Sequence, residues 1–352
     1  MGDIRSCISW DGVDTRQFGQ QEIKGWAYVA LKISVSEAAD GRRRELQIMQ
    51  ELASHHPRPK HMIYLLDNFE LKSPNGCHQC MVYELLGPDT IDTHFPSGRL
   101  PGKLAKAIAK QSLIGPDALH QNGIGHGDLH TRNLAFTLPH IGNLTEEQFM
   151  DMLGKPEIGH IRRYDGKSLE PGIPKYVVKP ASHLNQLWNS VPTIKILDFG
   201  QSFLPTAVPQ TLHTPLPVRA PEVLFKDSID YRVDLWSMGC MIFELFVGQP
   251  PFDTFLITPP IFIGQMCQMA SDDLPQRWRE TLDTMNKGSS DEDTWLNLQK
   301  WLEELYFGGP PNPDLTRDDI SKLGSIIEKL LYFEPSARAS VRQILDDPWF
   351  QG

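Results

Sequence analysis

Apolar and polar positions change period along this chain, and the changes divide it. The run Ala27-Tyr-Val-Ala-Leu-Lys-Ile33 alternates and is rich in strand-forming residues, so it predicts a strand. Residues 36–52 place Leu46, Met49 and Leu52 at helical spacing and predict a helix. Residues 62–70 and 79–84 predict two more strands around a turn at Ser73-Pro-Asn-Gly76. A small sheet with one helix therefore closes near Leu86-Gly-Pro88. Beyond Gly87 the pattern turns helical. Leu104, Ile108, Leu113 and Leu119 predict a helix over 103–120, and Gly115-Pro116 predicts a kink or break inside it, because an interior proline costs about 3 kcal/mol. Residues 138–192 are rich in Pro and Gly with weak periodicity and read as an insertion. A second apolar helix is predicted over 232–247, a mixed and partly acidic helical region over 254–316, and final helices over 320–331 and 341–345. No internal repeat is visible.

Composition narrows the class. At 352 residues, 40% hydrophobic, the chain is too apolar for a mainly disordered protein, and about 150 residues per domain predicts two lobes. No window reaches the roughly 20 apolar residues of a membrane span; the greasiest, Cys240-Met-Ile-Phe-Glu-Leu-Phe-Val-Gly248, is broken by Glu244. No secretory signal is expected from the charged opening segment. The formal net charge of −10 repels phosphate backbones, so neither nucleic acid nor a membrane is an expected partner, whereas basic peptides are attracted. A single-chain, monomeric protein is expected. Five cysteines, an odd number, argue for a reducing compartment, cytoplasm or nucleus. Cys77-His-Gln-Cys80 lacks the second pair of a closed zinc site, so buried thiols in a strand are the better reading. The sequon at Asn143 and the loose myristoylation pattern at Met1-Gly-Asp-Ile-Arg-Ser6 are read as chance matches.

Five segments carry chemistry: Val29-Ala-Leu-Lys32, His126-Gly-Asp-Leu-His-Thr-Arg-Asn133, Asp198-Phe-Gly200, Ala220-Pro-Glu222 and Asp234-Leu-Trp-Ser-Met-Gly239. Each alone is a weak signal, but in this order the chain resembles a eukaryotic protein kinase from about Tyr28 to Phe350. The resemblance implies an α+β, two-lobed kinase fold, with a small β-rich lobe over 1–86 and a larger helical lobe over 87–352 that carries the 138–192 insertion. It implies transfer of the γ-phosphate of ATP to protein Ser or Thr with Mg²⁺, a reaction in which the protein mostly positions groups and neutralises charge. Lys32 would hold the α/β phosphates, Glu45 would hold Lys32, Asn133 and Asp198 would bind Mg²⁺, and Asp128 would accept the substrate proton. Glu84 and Leu86 in the Tyr83-Glu-Leu-Leu86 hinge would receive adenine through backbone groups, behind Tyr83 as gatekeeper. Glu222 with Arg338 would brace the substrate-binding segment, and Asp234 would hold the catalytic loop. Glu37 and Glu51 compete with Glu45 on spacing, which leaves helix face to decide.

Asp128 and Asp198 stand 70 residues apart, far more than a hairpin needs, and the excess falls in the insertion. That spacer, and Met81-Val-Tyr-Glu-Leu-Leu-Gly87, resemble the serine/arginine-rich-protein kinases, which implies Arg/Ser-rich substrates. Asp291-Glu-Asp293, Glu303-Glu304 and Asp318-Asp319 read equally well as an acidic docking groove or as ordinary solvated helix faces.

Three departures from the pattern stand out. Phe18-Gly-Gln-Gln-Glu-Ile-Lys-Gly-Trp26 is not the glycine-rich loop whose amides clamp phosphates, so that loop is divergent or the small lobe is truncated. Gly127 stands where most kinases have Arg, which predicts an enzyme not switched through a phosphate in its activation segment. His130 stands where Ser/Thr kinases place Lys beside the γ-phosphate, which predicts a lower rate. These departures keep open a pseudokinase scaffold, and the string His-Gly-Asp-Leu-His also resembles the loop of aminoglycoside and choline phosphotransferases. His126 and His130 lack the helix and following Glu of a zinc protease pair.

Overall fold

A computed structural model describes residues 5–8, 28–34, 39–54, 57–73, 76–89, 99–138, 144–170, 173–179, 192–252, 257–285, 297–309 and 313–351. Residues 18–26, Glu37, Asn143, Asp291–Asp293 and the first four residues, all singled out above, lie outside the described residues.

The small lobe is an antiparallel sheet of β1 (Arg5–Ile8), β2 (Val29–Ile33), β3 (Leu65–Ser73) and β4 (Gly76–Glu84), in the order β1-β2-β4-β3. The β1 strand had no sequence signal; it lies against β2 with Arg5 opposite Lys32, so at least one strand of this sheet precedes the lysine. Side chains alternate across a strand. Leu31, Cys80 and Val82 accordingly pack on one face of the sheet, while Lys32 and its cross-strand partner Met81 stand on the other. Cys80 is buried as expected, but Cys77 is exposed, because it follows the turn at Gly76 where the hairpin leaves the core.

Helix α1 (Ala39–Ser54) begins a few residues later than its pattern suggested and covers the lysine-bearing face. Its buried positions Glu45, Ile48, Met49 and Leu52 follow the i, i+3, i+4, i+7 stripe of a half-buried helix, and Glu45 is the one carboxylate on it. Beyond β5 (Leu86–Asp89) runs α2 (Gly102–His120). The expected break at Pro116 is absent. Leu113 and Leu119 are buried on either side of the proline, and two such burials, at about 1.5–3 kcal/mol each, outweigh the missing hydrogen bond. Gly115 permits the close approach here: a Cβ would stand 3.0 Å from Ile196 Cδ1 and 3.1 Å from Met62 Cε.

The 3₁₀ turn Thr131–Asn133 leads into β6 (Leu134–Thr137), which pairs with β5 and with a later strand. The insertion holds regular structure: α3 (Glu146–Leu153), opened by a Thr145–Gln148 capping box, and the exposed hairpin β7 (Ile158–His160) and β8 (Tyr176–Val178). Phe149 of α3 packs 4.2 Å, ring to ring, from Tyr28 at the foot of β2, so the insertion reaches back to the small lobe. The chain returns through β9 (Ile194–Ile196), antiparallel to β6 and parallel-bridged to Met62.

The large lobe follows as α4 (Pro221–Leu224), α5 (Val233–Val247), α6 (Pro259–Met269), α7 (Gln276–Met285), α8 (Leu298–Phe307), α9 (Arg317–Glu328), α10 (Val341–Leu345) and α11 (Pro348–Gln351). Helix α5 is buried nearly all round, from Val233 to Phe246, as an apolar helix without a polar face must be. It packs against α2, α8 and α9 and forms the axis of the lobe. Among the described residues no helix is long and apolar enough to cross a membrane.

Candidate active site

The alternation that buries Leu31 turns Lys32 towards α1. Its Nζ lies 2.8 and 3.0 Å from the two carboxylate oxygens of Glu45 and 3.0 Å from Asp198 Oδ1. Tyr83 lies buried behind this pair, its hydroxyl 3.4 Å from Glu45 Oε1. Helix face decides between the candidate glutamates: Glu51 is exposed on the same helix, while Glu45 points into the cleft.

Asp198 adopts a left-handed backbone, φ +62°, at the start of the turn Phe199–Gln201, and its Oδ1 accepts from Gly200 N at 3.3 Å. Phe199 is buried and meets the His126 ring edge-on at 4.9 Å. His126 Nδ1 accepts from Asp128 N at 3.2 Å, so its proton sits on Nε2, which donates to Leu197 O at 3.0 Å. Full burial holds its pKa below the ordinary histidine value, which agrees with that neutral tautomer. His126 is thus a structural link between the loop before Asp128 and the strand before Asp198, and not a metal ligand.

Asp234, at the start of α5, accepts from His126 N at 2.7 Å and from Gly127 N at 2.8 Å, and from His120 Nε2 at 3.0 Å. The carboxylate therefore bonds two successive main-chain amides of the loop. Gly127 has φ +75°, and a Cβ there would stand 2.6 Å from Gln201 O. No arginine fits this backbone. The activation segment also bonds the main chain of this loop: Thr214 Oγ1 donates to Gly127 O at 2.6 Å and Ser202 Oγ donates to His126 O at 3.0 Å.

Asn133 Nδ2 donates to Asp128 O at 2.9 Å and stands 3.4 Å from Asp128 Oδ2, so the five-residue spacing folds the amide back beside the carboxylate. Asp128 Oδ1 is buried without a hydrogen-bond partner. His130 Nε2 lies 3.2 Å from Asn133 Nδ2 and 3.7 Å from Asp128 Oδ1. His130→Lys should restore a fixed cation here and raise turnover about fivefold, the value of about 1 kcal/mol between a charged and a neutral hydrogen bond. Steady-state rates of the two proteins check this, and an unchanged or lower rate in the variant would refute it.

At the back of the cleft, Glu84 N donates to Tyr64 O at 3.3 Å, and Leu86 pairs with Thr137 across β5 and β6. Glu84 was expected only through its backbone, yet its carboxylate is also engaged, by Tyr64 N at 2.7 Å and by Lys195. Three more contacts had no sequence signal: Lys195 itself, His120 on Asp234, and Thr131 Oγ1 donating to Glu244 Oε2 at 2.9 Å. Glu222 and Arg338 form a buried, two-pronged ion pair beneath α4.

Glu303, Asp318 and Asp319 have local partners. Glu303 takes Gln299 and Arg317, Asp318 pairs with Lys322, and Asp319 closes the capping box with Thr316 at the start of α9. Helix-face duty accounts for these three. No cluster of three metal-ligating side chains occurs among the described residues.

Comparison with known proteins gives one family. The protein kinase domain matches residues 178–350. The serine/threonine-protein kinase SRPK of Physarum polycephalum is 28% identical, over 97% of this chain and 84% of that protein. The dual specificity protein kinase CLK1 of Homo sapiens is 25% identical over 93% of this chain and 61% of its own length. The serine/threonine-protein kinase AFC3 of Arabidopsis thaliana is 23% identical over 92% and 76%.

Proposed function

The chain is a eukaryotic serine/threonine protein kinase similar to the SRPK and CLK kinases, and from that premise we propose both its working residues and its substrate class. Kinase domains of this kind use ATP and Mg²⁺. The observation that carries the assignment is convergence: Lys32 Nζ lies within 3.0 Å of both the Glu45 and the Asp198 carboxylates, and the strand before Asp198 is bonded, Leu197 N to Asn133 O at 2.8 Å, to the loop that holds the Asp128–Asn133 pair.

Asp128 accepts the proton of the attacking Ser or Thr hydroxyl, for which its unpartnered Oδ1 is the available atom. Asn133 uses its amide nitrogen to fix the Asp128 backbone, which leaves its carboxamide oxygen, with the Asp198 carboxylate, as the oxygen donors for Mg²⁺. When bound, Mg²⁺ neutralises charge on the phosphates. Glu45 holds the Lys32 ammonium at the depth where the α/β phosphates lie. His130 supplies a contact near the γ-phosphate. Glu84 and Leu86 offer backbone groups to adenine. Ala220-Pro-Glu222, braced by Arg338, supports a protein substrate, a part that small-molecule phosphotransferases lack.

The substrates we propose are basic, Arg/Ser-rich proteins, supported by the net charge of −10 and by the similarity to SRPK. We further propose a monomer working in the cytoplasm or nucleus, in keeping with free thiols at Cys77, Cys80, Cys240 and Cys267. Phosphate incorporation into an Arg-Ser repeat peptide tests the substrate class. Replacing its arginines with glutamates should lower kcat/KM about tenfold or more, since like charges then meet. Equal use of both peptides would remove the basic-substrate reading, and turnover with choline or an amino-sugar but no peptide would overturn protein phosphorylation.

A further inference from the structure

Strand β9 reads Ile194-Lys-Ile196, and both isoleucines are fully buried. Lys195 between them is also buried, with only 10% of its side chain exposed, where an apolar residue would cost nothing to desolvate. Its Nζ lies 2.5 Å from Glu84 Oε1 and 3.4 Å from the centroid of the Tyr64 ring. The same Glu84 oxygen accepts from Tyr64 N at 2.7 Å. Burial pulls the Lys195 pKa below the ordinary lysine value, and the Glu84 carboxylate works against that pull.

This cluster joins the two ends of the nucleotide site. Glu84 belongs to the hinge, and Lys195, in the short strand β9, stands three residues before Asp198. The segment carrying Tyr64 is strapped to that strand by main-chain bonds: Ile196 N to His61 O at 2.8 Å and Ile63 N to Ile196 O at 3.0 Å. His61 Nδ1 adds a contact with Ile194 O at 2.9 Å. Past β9, Leu197 N donates to Asn133 O at 2.8 Å, so the strand is also tied to the other proposed metal ligand. Displacing Glu84 by breaking its ion pair would move the hinge relative to a strand that is otherwise pinned.

We propose that Lys195 is a positioning residue for nucleotide: through Glu84 and Tyr64 it holds the adenine-binding hinge at a fixed spacing from Asp198. It touches no reacting atom. Its contribution is to pre-organise the cleft, which lowers the cost of binding ATP and leaves the phosphoryl-transfer step itself unchanged.

The inference rests on the hinge being the adenine seat, and the two ideas fail differently. Lys195→Met keeps the length and removes the charge; Glu84→Gln keeps the acceptor for Tyr64 N. Each should raise KM for ATP and the Kd for ADP about tenfold, with kcat within about twofold of wild type. Lys195→Arg, which keeps charge and the contact with the ring, should recover most of the loss. The double variant, which leaves no unpaired charge and so guards against simple misfolding, should be no worse than either single one. A fall in kcat at constant KM, a lowered melting temperature with both constants unchanged, or fully additive effects in the double variant would each overturn the proposal. If wild type and Asp128→Asn incorporate phosphate equally, the reading of the cleft itself falls, and the positioning role with it.

Discussion

Asp128→Asn should lower phosphate transfer by about 10²–10⁴-fold while leaving the fold and nucleotide binding in place. The loop around Asp128 is held by its main chain. Asp234 takes the amides of His126 and Gly127, His126 Nδ1 takes the amide of Asp128, and Asn133 takes its carbonyl. None of those four bonds uses the Asp128 carboxylate, so an isosteric amide disturbs none of them. What changes is basicity: a neutral carboxamide cannot take a proton from a hydroxyl. The unpartnered Oδ1 sharpens the expectation, because a buried carboxylate oxygen without a donor is costly unless a ligand supplies one. Phosphate incorporation into a basic Ser-rich peptide reads the loss, and the thermal midpoint and ADP affinity read what is retained. Equal incorporation by variant and wild type would end the enzymatic account of this cleft. A loss of both ADP binding and melting temperature would instead show that the carboxylate is structural.

How far the cleft could be read from sequence depended on how its residues are spaced. Asp128 and Asn133 lie on one loop, Asp198 opens the next motif, and fixed spacing within each motif made them visible. Glu45 was legible because a helix face can be counted: 45, 48, 49 and 52 make one stripe. The predicted helices and strands mostly lie within a few residues of the observed ones, since apolar periodicity is set by burial. Other features depend on partners distant in sequence. Lys195 meets Glu84 across 111 residues, and no local pattern marks a lysine in a short strand as an ion-pair partner. His120 and Thr131 likewise gain their roles only when α2, the catalytic loop and α5 pack together. Of the kink or break expected at Pro116, the break fails for the complementary reason: a local rule allows it, but buried neighbours on both sides hold the helix. Gly127 reads in sequence as an arginine lost; in the fold its positive φ and the Gln201 carbonyl exclude any side chain.

Arg338→Met should destabilise the large lobe by about 3–5 kcal/mol, because it leaves Glu222 charged, buried and alone. The side chains of this pair are 0% and 2% exposed, so water cannot replace the lost partner. The arginine is unusually well matched. Its Nε donates to Tyr332 O at 2.8 Å, one terminal nitrogen to Glu222 Oε1 at 2.6 Å and Arg232 O at 2.8 Å, and the other to Glu222 Oε2 at 2.6 Å and Phe333 O at 3.3 Å. Each guanidinium N–H thus has an acceptor, in the planar fork that lysine cannot reproduce. Arg338→Lys should therefore retain the charge yet still lose about half of the stabilisation, the part that comes from orphaned carbonyls of the 332–333 turn and of Arg232. Pairing Arg338→Met with Glu222→Leu should recover much of the loss, since two apolar side chains remove the stranded charge as well as the pair. Denaturant midpoints at constant m-value measure all three proteins against wild type. If Arg338→Lys matched wild type to within about 0.5 kcal/mol, the fork geometry would be irrelevant and simple charge would explain the pair. Function should follow stability here. Glu222 sits in α4, directly after Ala220-Pro221, so a carboxylate driven outward to reach water would displace the segment against which a peptide substrate lies. Arg338→Met should then raise the KM for peptide while ATP affinity is kept, and the double variant, with no carboxylate to drive outward, should recover much of that rise.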